Sequence, residues 1–183
     1  KKVKVDKYET TGSLRLENFK SKFKKKIKLL KKDKFDICLL SDAGAWHLKE
    51  PELNKKFAKL IKFVIRYTLE ENKKLVLPLK RPFIDDTKNI PTQAKSFIKG
   101  YYNEINWYRK YLNSEEYDYL KKKFIFKKPS SNFFPYTSYK ASVESKVTIA
   151  AMSTMLREVF SMKKKILTCN LTSNNVYDFP ITG

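Results

Sequence analysis

The chain has 183 residues, 42% of them hydrophobic, and its 40 Lys and Arg against 19 Asp and Glu give a formal net charge of +21. That length and apolar content suffice for a folded core and exclude an intrinsically disordered chain. No apolar run approaches the roughly 20 residues of a membrane span, and no secretory signal is visible. We therefore expect one domain over residues 1–183, located in the cytoplasm, whose reducing conditions suit its two cysteines.

The positive charge is nearly all lysine and is spread along the whole chain. A nucleic-acid-binding protein usually concentrates arginine, glycine and exposed aromatic residues on one face, so nucleic acid is not the favoured partner. An A/T-rich coding bias accounts for the same abundance of Lys, Asn, Ile, Tyr and Phe without any function. The other interpretation is a basic face that docks on anionic lipid or on a polyanionic substrate.

Six short apolar runs alternate with helical patterns along the chain. In chain order we predict a weak strand at 3–8, a helix at 19–30, a strand at 35–40, a helix at 53–69, a strand at 75–79, a helix at 97–112, a strand at 124–126, a helix at 139–144, a strand at 147–151, a helix at 155–162 and a strand at 166–169. Continuous apolar strands separated by helices favour a parallel sheet covered on both faces. The predicted fold is therefore α/β, a Rossmann-like, doubly wound, mainly parallel sheet of six strands.

The segment at residues 20–34 holds nine lysines interleaved with apolar residues at helical spacing. One interpretation is a helix that packs its apolar stripe inward and exposes its lysines to solvent. The alternative is an interfacial helix that rests on an anionic membrane.

A hydroxyl pair and an acid surround the start of the last predicted helix. Ser153 and Thr154 follow a strand, and Glu158 lies four residues after Thr154, on the same side of the helix. Hydroxyls at this position commonly cap the helix. The functional interpretation is that the helix start binds a phosphate and that the carboxylate accepts hydrogen bonds from ribose hydroxyls. An exposed acid beside Lys163 or Lys164 is the alternative for Glu158.

Two further segments place polar groups after predicted strands. Gly12, Ser13 and Arg15 follow the first strand, where glycine permits a tight turn and the other two can reach a phosphate. Lys80 and Arg81 leave the third strand and can neutralise a leaving nucleotide. An ordinary turn and a solvated basic turn are the alternatives for these two segments.

Several kinds of chemistry have no sequence support. One histidine and two cysteines offer no metal-ligand spacing, so we predict no metal site. The sequence contains no Walker loop, no G-x-G-x-x-G and no nucleophile elbow. Kinase, dehydrogenase and serine-hydrolase functions are thereby excluded.

Three parts of the sequence together resemble the C-terminal, donor-binding domain of GT-B glycosyltransferases. The likeness is greatest to bacterial surface-carbohydrate biosynthesis transferases, and capsule polysaccharide transferases and CDP-glycerol glycerophosphotransferases are more distantly similar. The matching parts are Gly12-Ser-Leu-Arg15, then Ser138-Tyr-Lys140 ahead of Ser145-Lys-Val-Thr-Ile149, and then Ser153-Thr-x-x-x-Glu158 followed by Lys164-Lys-Ile-Leu-Thr-Cys-Asn170. The likeness is dense only from about residue 138 onward.

The resemblance implies a sugar transferase that needs no metal or cofactor, because the nucleotide-sugar donor is a substrate. It implies a surface polysaccharide or lipid-linked glycan as acceptor, and a missing N-terminal half without which this piece is inactive. The implied donor-binding residues are Ser153, Thr154, Glu158, Gly12, Ser13, Arg15, Lys80, Arg81 and Tyr139. One departure is Ala150-Ala-Met152, where relatives tend to have a glycine before the hydroxyl pair.

Two other functions remain open at this point. One is a non-catalytic basic α/β module that binds polyanions such as nucleic acid, for which steep salt dependence is expected. The other is a degenerate transferase half that serves only as a scaffold for its partner domain.

Overall fold

A computed structural model describes residues 13–30, 33–43, 50–82, 92–127 and 136–172. The predicted first strand at 3–8 and Gly12 lie outside these ranges. In chain order, the described elements are α1 (Leu14–Lys28), β1 (Phe35–Leu39), α2 (Pro51–Glu70), β2 (Leu75–Pro82), α3 (Thr92–Tyr111), α4 (Ser114–Lys121), β3 (Phe124–Lys127), α5 (Thr137–Val143), β4 (Ser145–Ala150), α6 (Met155–Ser161) and β5 (Lys165–Thr168).

The five described strands form one parallel sheet in the order β3-β2-β1-β4-β5. β1 lies at the centre, where Ile37 is in register with Leu75 of β2 and with Val147 of β4. The chain builds outward from β1 to β3 and then continues on the other side of β1, so the strand order reverses between β1 and β4. The α/β prediction with a parallel sheet is confirmed, and this order is compatible with a Rossmann-like fold. The sixth predicted strand, at 3–8, is not among the described residues.

Helices cover both faces of the sheet. Alternate residues of a strand point to opposite faces, so each central strand contributes side chains to two separate hydrophobic clusters. Leu39 and Leu77 lie in the core that α2, α3 and α4 complete. Cys38 and Val76 face the other side and pack against α5 and α6. Burial raises the pKa of the Cys38 thiol to about 12, so the thiol is neutral at physiological pH.

The apolar face of α1 packs against α5. Phe19 and Phe23 are buried in a cluster with Tyr139 of α5, and the rings of Phe19 and Tyr139 stack with their centroids 5.0 Å apart. Most of the lysines of α1 point to solvent. Over the part of the lysine-rich segment that the structure describes, the inward-packing interpretation is therefore confirmed.

The predicted helix at 97–112 corresponds to α3, which begins earlier. We did not predict the helix that follows it, α4. The Asn113 side chain accepts a hydrogen bond from the Glu116 N–H (2.8 Å), and the Glu116 carboxylate accepts one from the Asn113 N–H (2.9 Å). This reciprocal pair is a capping box, which starts α4. None of the helices within the described ranges has the length and apolar character needed to cross a bilayer.

Candidate functional site

A cleft of about 240 Å³ lies at the carboxyl edge of the sheet. It is lined by residues that follow β1 and β4 and by Pro78 and Lys80 of β2, so it sits where the strand order reverses. In open parallel sheets this crevice is the usual ligand site. Five of the nine residues predicted from the sequence line the cleft, namely Arg15, Lys80, Ser153, Thr154 and Glu158.

Three of the other predicted residues are placed elsewhere. Ser13 and Tyr139 bind the carboxylate of Glu158. The Arg81 side chain lies against Gly100 of α3, so closely that a β-carbon at position 100 would be 3.1 Å from its Nε. The ninth residue lies in the segment before residue 13, outside the described part of the chain.

The carboxylate of Glu158 joins three helices beside the cleft. One oxygen accepts a hydrogen bond from the Ser13 hydroxyl, which also caps α1 by accepting from the Leu16 N–H. The other oxygen accepts from the Tyr139 hydroxyl at 2.5 Å. Burial, reinforced by this bond to a carboxylate, raises the pKa of Tyr139. Glu158 is therefore half-buried and engaged rather than an exposed acid.

We expect Tyr139→Phe to lower the free energy of unfolding by about 1.5–2 kcal/mol, because a hydrogen bond to an ionised acceptor is lost while the ring packing remains. Urea denaturation measures this change. Tyr102→Phe removes the hydroxyl of an exposed tyrosine and is the matched control, expected to change the free energy by less than about 0.5 kcal/mol. Equal losses in the two variants would contradict a role for the Glu158 contact.

The turn after β4 presents the predicted hydroxyl pair. Thr154 is the N-cap residue of α6, but its side chain makes no capping hydrogen bond, and its backbone is already helical (φ −59°, ψ −19°). Ser153 and Thr154 both line the cleft instead. Met152 also lines it, and its N–H donates to the Asp42 carboxylate at 3.2 Å. Both hydroxyl residues therefore lie at the cleft, and Met152 precedes them where relatives tend to have a glycine.

Asp42 and Lys80 form a charge pair in the cleft. Asp42 follows β1 and is only 2% exposed, whereas the Lys80 side chain is partly open to solvent. The Lys80 Nζ lies 3.8 Å from Asp42 Oδ1. Asp42 lies two residues beyond the strand predicted at 35–40, and no role was predicted for it. The pair holds the lysine ammonium over the cleft.

A buried carboxylate beneath the cleft was also missed. Glu104 of α3 is 1% exposed, and its oxygens accept hydrogen bonds from the backbone N–H groups of Lys80 (2.9 Å) and Arg81 (3.0 Å). The Ser41 hydroxyl donates to the same carboxylate and accepts from the Tyr108 hydroxyl at 2.7 Å. Glu104 thus ties α3 to the ends of β1 and β2 and fixes the backbone that carries Lys80.

The charged side chains that line the cleft are the cations Arg15 and Lys80 and the acids Asp42 and Glu158. Within the described ranges, no group of three or more His, Cys, Asp or Glu side chains is placed to hold a metal ion. Comparison with known protein families, curated proteins and solved structures gave no significant match to this chain.

Proposed function

We propose that this chain is the donor-binding half of a GT-B-type glycosyltransferase and that its cleft binds a nucleotide-sugar. The sugar is then transferred to a surface polysaccharide or to a lipid-linked glycan, as the resemblance to bacterial surface-carbohydrate transferases implies. In that arrangement a second Rossmann-like half carries the acceptor site. Donor binding, rather than transfer, is therefore the activity to test in this chain.

The observation that carries the proposal is the set of groups that meet in the cleft. Two cations and four hydroxyl residues line the crevice where the strand order reverses, together with the acids Asp42 and Glu158; the cations are Arg15 and Lys80, and the hydroxyl residues are Ser41, Ser138, Ser153 and Thr154. Cations and hydroxyl donors are the groups that bind phosphate oxygens in proteins. A phosphorylated ligand therefore suits this cleft better than an apolar one.

The proposed mechanism is electrostatic. Negative charge develops on the diphosphate as its bond to the sugar breaks, and fixed cations lower the energy of that transition state. We assign this role to Lys80, which Asp42 positions, and to Arg15, whose guanidinium lies 5.6 Å from the centroid of the Tyr139 ring. Because these cations supply the positive charge, the proposed reaction requires no divalent metal.

Glu158 is assigned to the ribose. Its carboxylate has about four lone-pair sites, and the Ser13 and Tyr139 hydroxyls each donate to one oxygen. Two acceptor sites therefore remain, and because Glu158 lines the cleft we assign them to two vicinal ribose hydroxyls. The same acid then positions the ligand and joins the helices around it.

Calorimetric titration with CMP-, UDP-, GDP- and dTDP-linked sugars tests the proposal. We expect one of these donors to bind with a Kd of about 1 mM or below, which is the range of typical enzyme substrates. The matching free monosaccharide is the control and is expected not to bind detectably, since the cleft contacts are assigned to the nucleotide and its phosphates. Equal affinity for all four donors, or binding by none, would contradict the assignment.

A further inference from the structure

A second groove, of about 420 Å³, lies at the amino edge of the sheet, opposite the cleft. It is formed by the loop that joins α2 to β2, by the loop that joins α4 to β3, and by the start of β1. Four lysines line it: Lys73 and Lys74 from the first loop, and Lys122 and Lys123 from the second. No acidic side chain is among its described lining residues.

The acid that follows the groove residue Phe35 in β1 is already engaged. Asp36 of β1 pairs with Lys146 at 2.7 Å and accepts a hydrogen bond from the Lys74 N–H at 2.8 Å. The bond from Lys146, followed by the one from Lys74, lowers the pKa of the Asp36 carboxyl. Asp36 is thus ionised but is not a lining residue, and it offsets part of the charge of Lys73, so the four lining lysines keep a net positive charge.

Helix ends explain part of this lysine pattern. α2 ends at Glu70 and α4 ends at Lys121, so both helices direct their carbonyl ends toward the amino edge, where cations are favoured. That effect is strongest within the last turn, where α2 has no basic residue and α4 has Lys121, whereas the four groove lysines follow the helix ends. It does not require four lysines around one groove, where their charges repel one another in the absence of a ligand. The Lys123 ammonium also lies 4.9 Å from the centroid of the Tyr119 ring.

We propose that this amino-edge groove binds a ligand that carries two or more closely spaced phosphates. Lysine ammonium groups bind phosphate oxygens as compact point charges, and lysines from two loops face a single cavity of suitable size. Phe35 forms part of the wall, with the Lys34 ammonium 5.1 Å from its ring centroid. The groove is separate from the carboxyl-edge cleft, so the inference does not depend on the function proposed above.

The test is a titration of the whole chain, labelled with ¹⁵N, with inorganic tripolyphosphate. Amide signals report where the probe binds, and we expect those of residues 73–76 and 122–125 to shift saturably. Lys74→Gln combined with Lys122→Gln removes one exposed lysine from each loop and is expected to weaken this binding by about tenfold or more. Lys24→Gln combined with Lys59→Gln removes the same charge from exposed helical positions and is expected to weaken it by less than about twofold.

Two results would overturn the inference. One is the absence of saturable shifts at the groove, and the other is equal weakening by the two pairs of substitutions, which would mean that only net charge matters. Unchanged urea unfolding midpoints show that both double variants remain folded.

A second arm identifies the source of the phosphates. Sedimentation with vesicles that contain phosphatidylinositol bisphosphate is compared with sedimentation with pure phosphatidylcholine vesicles. Binding to the phosphatidylinositol bisphosphate vesicles alone, if the Lys74 and Lys122 substitutions weaken it, assigns the site to a lipid headgroup. Tripolyphosphate binding without vesicle binding assigns it to a soluble ligand.

Discussion

Glu104→Ala is expected to lower the free energy of unfolding by about 3 kcal/mol. The substitution removes a buried carboxylate that accepts hydrogen bonds from two backbone N–H groups and from the Ser41 hydroxyl. Donors left without a partner in the interior carry a desolvation cost in addition to the lost bonds. Urea denaturation monitored by circular dichroism measures the difference.

The matched control for Glu104 is Glu115→Ala, which removes an exposed carboxylate from α4. Its expected effect is below about 0.5 kcal/mol. Ser41→Ala removes only one of the donors, and its loss in free energy of unfolding should lie between those of the Glu104 and Glu115 variants. If the Glu104 and Glu115 variants unfold at the same urea concentration, Glu104 does not support the cleft as described.

Lys80→Ala is expected to weaken binding of the nucleotide-sugar donor by at least about tenfold, which corresponds to about 1.4 kcal/mol. The variant loses the ammonium group assigned to the diphosphate. It also leaves the buried Asp42 carboxylate without that cation, so the remaining negative charge repels the ligand. Calorimetric titration with the donor found in the nucleotide-sugar screen measures the change.

Arg81→Ala is the control for Lys80, because it removes the same charge from the next residue of β2. The Arg81 side chain lies against α3 rather than in the cleft, so we expect its loss to change the donor affinity by less than about twofold. Comparable weakening by both variants would show that net charge, not the cleft, determines binding. The assignment of Lys80 would then be abandoned.

The sheet was largely predictable because its strands are continuous apolar runs. The predicted strands at 35–40, 75–79 and 124–126 match β1, β2 and β3 to within a few residues. α4 was missed, although Asn113 and Glu116 have the spacing of a capping box. The site was harder to predict, because the sequence does not show which strand ends become neighbours.

Two features of the site follow from local geometry. β2 extends beyond the predicted strand at 75–79, so the adjacent side chains of Lys80 and Arg81 point to opposite sides, and only Lys80 lines the cleft. Glu104 falls three residues after Tyr101 and four before Tyr108, which places a carboxylate on the apolar stripe of its helix. A charged residue at such a position is buried only when it is bonded, and it therefore marks a structural network. By contrast, the pairing of Ser13 with Glu158 joins residues 145 positions apart, and no local pattern predicts it.

A shorter expressed fragment of this chain should keep both Ser13 and Glu158, because the bond between them joins distant parts of the sequence. Arg15 reaches the cleft only because α1 is docked on α5, and that docking depends on a contact with a helix near the other end of the sequence. An expression boundary placed after α1, or before α6, would leave most of the sheet intact yet remove one wall of the crevice. Failure of such a shortened chain to bind a nucleotide would therefore say nothing about the longer protein.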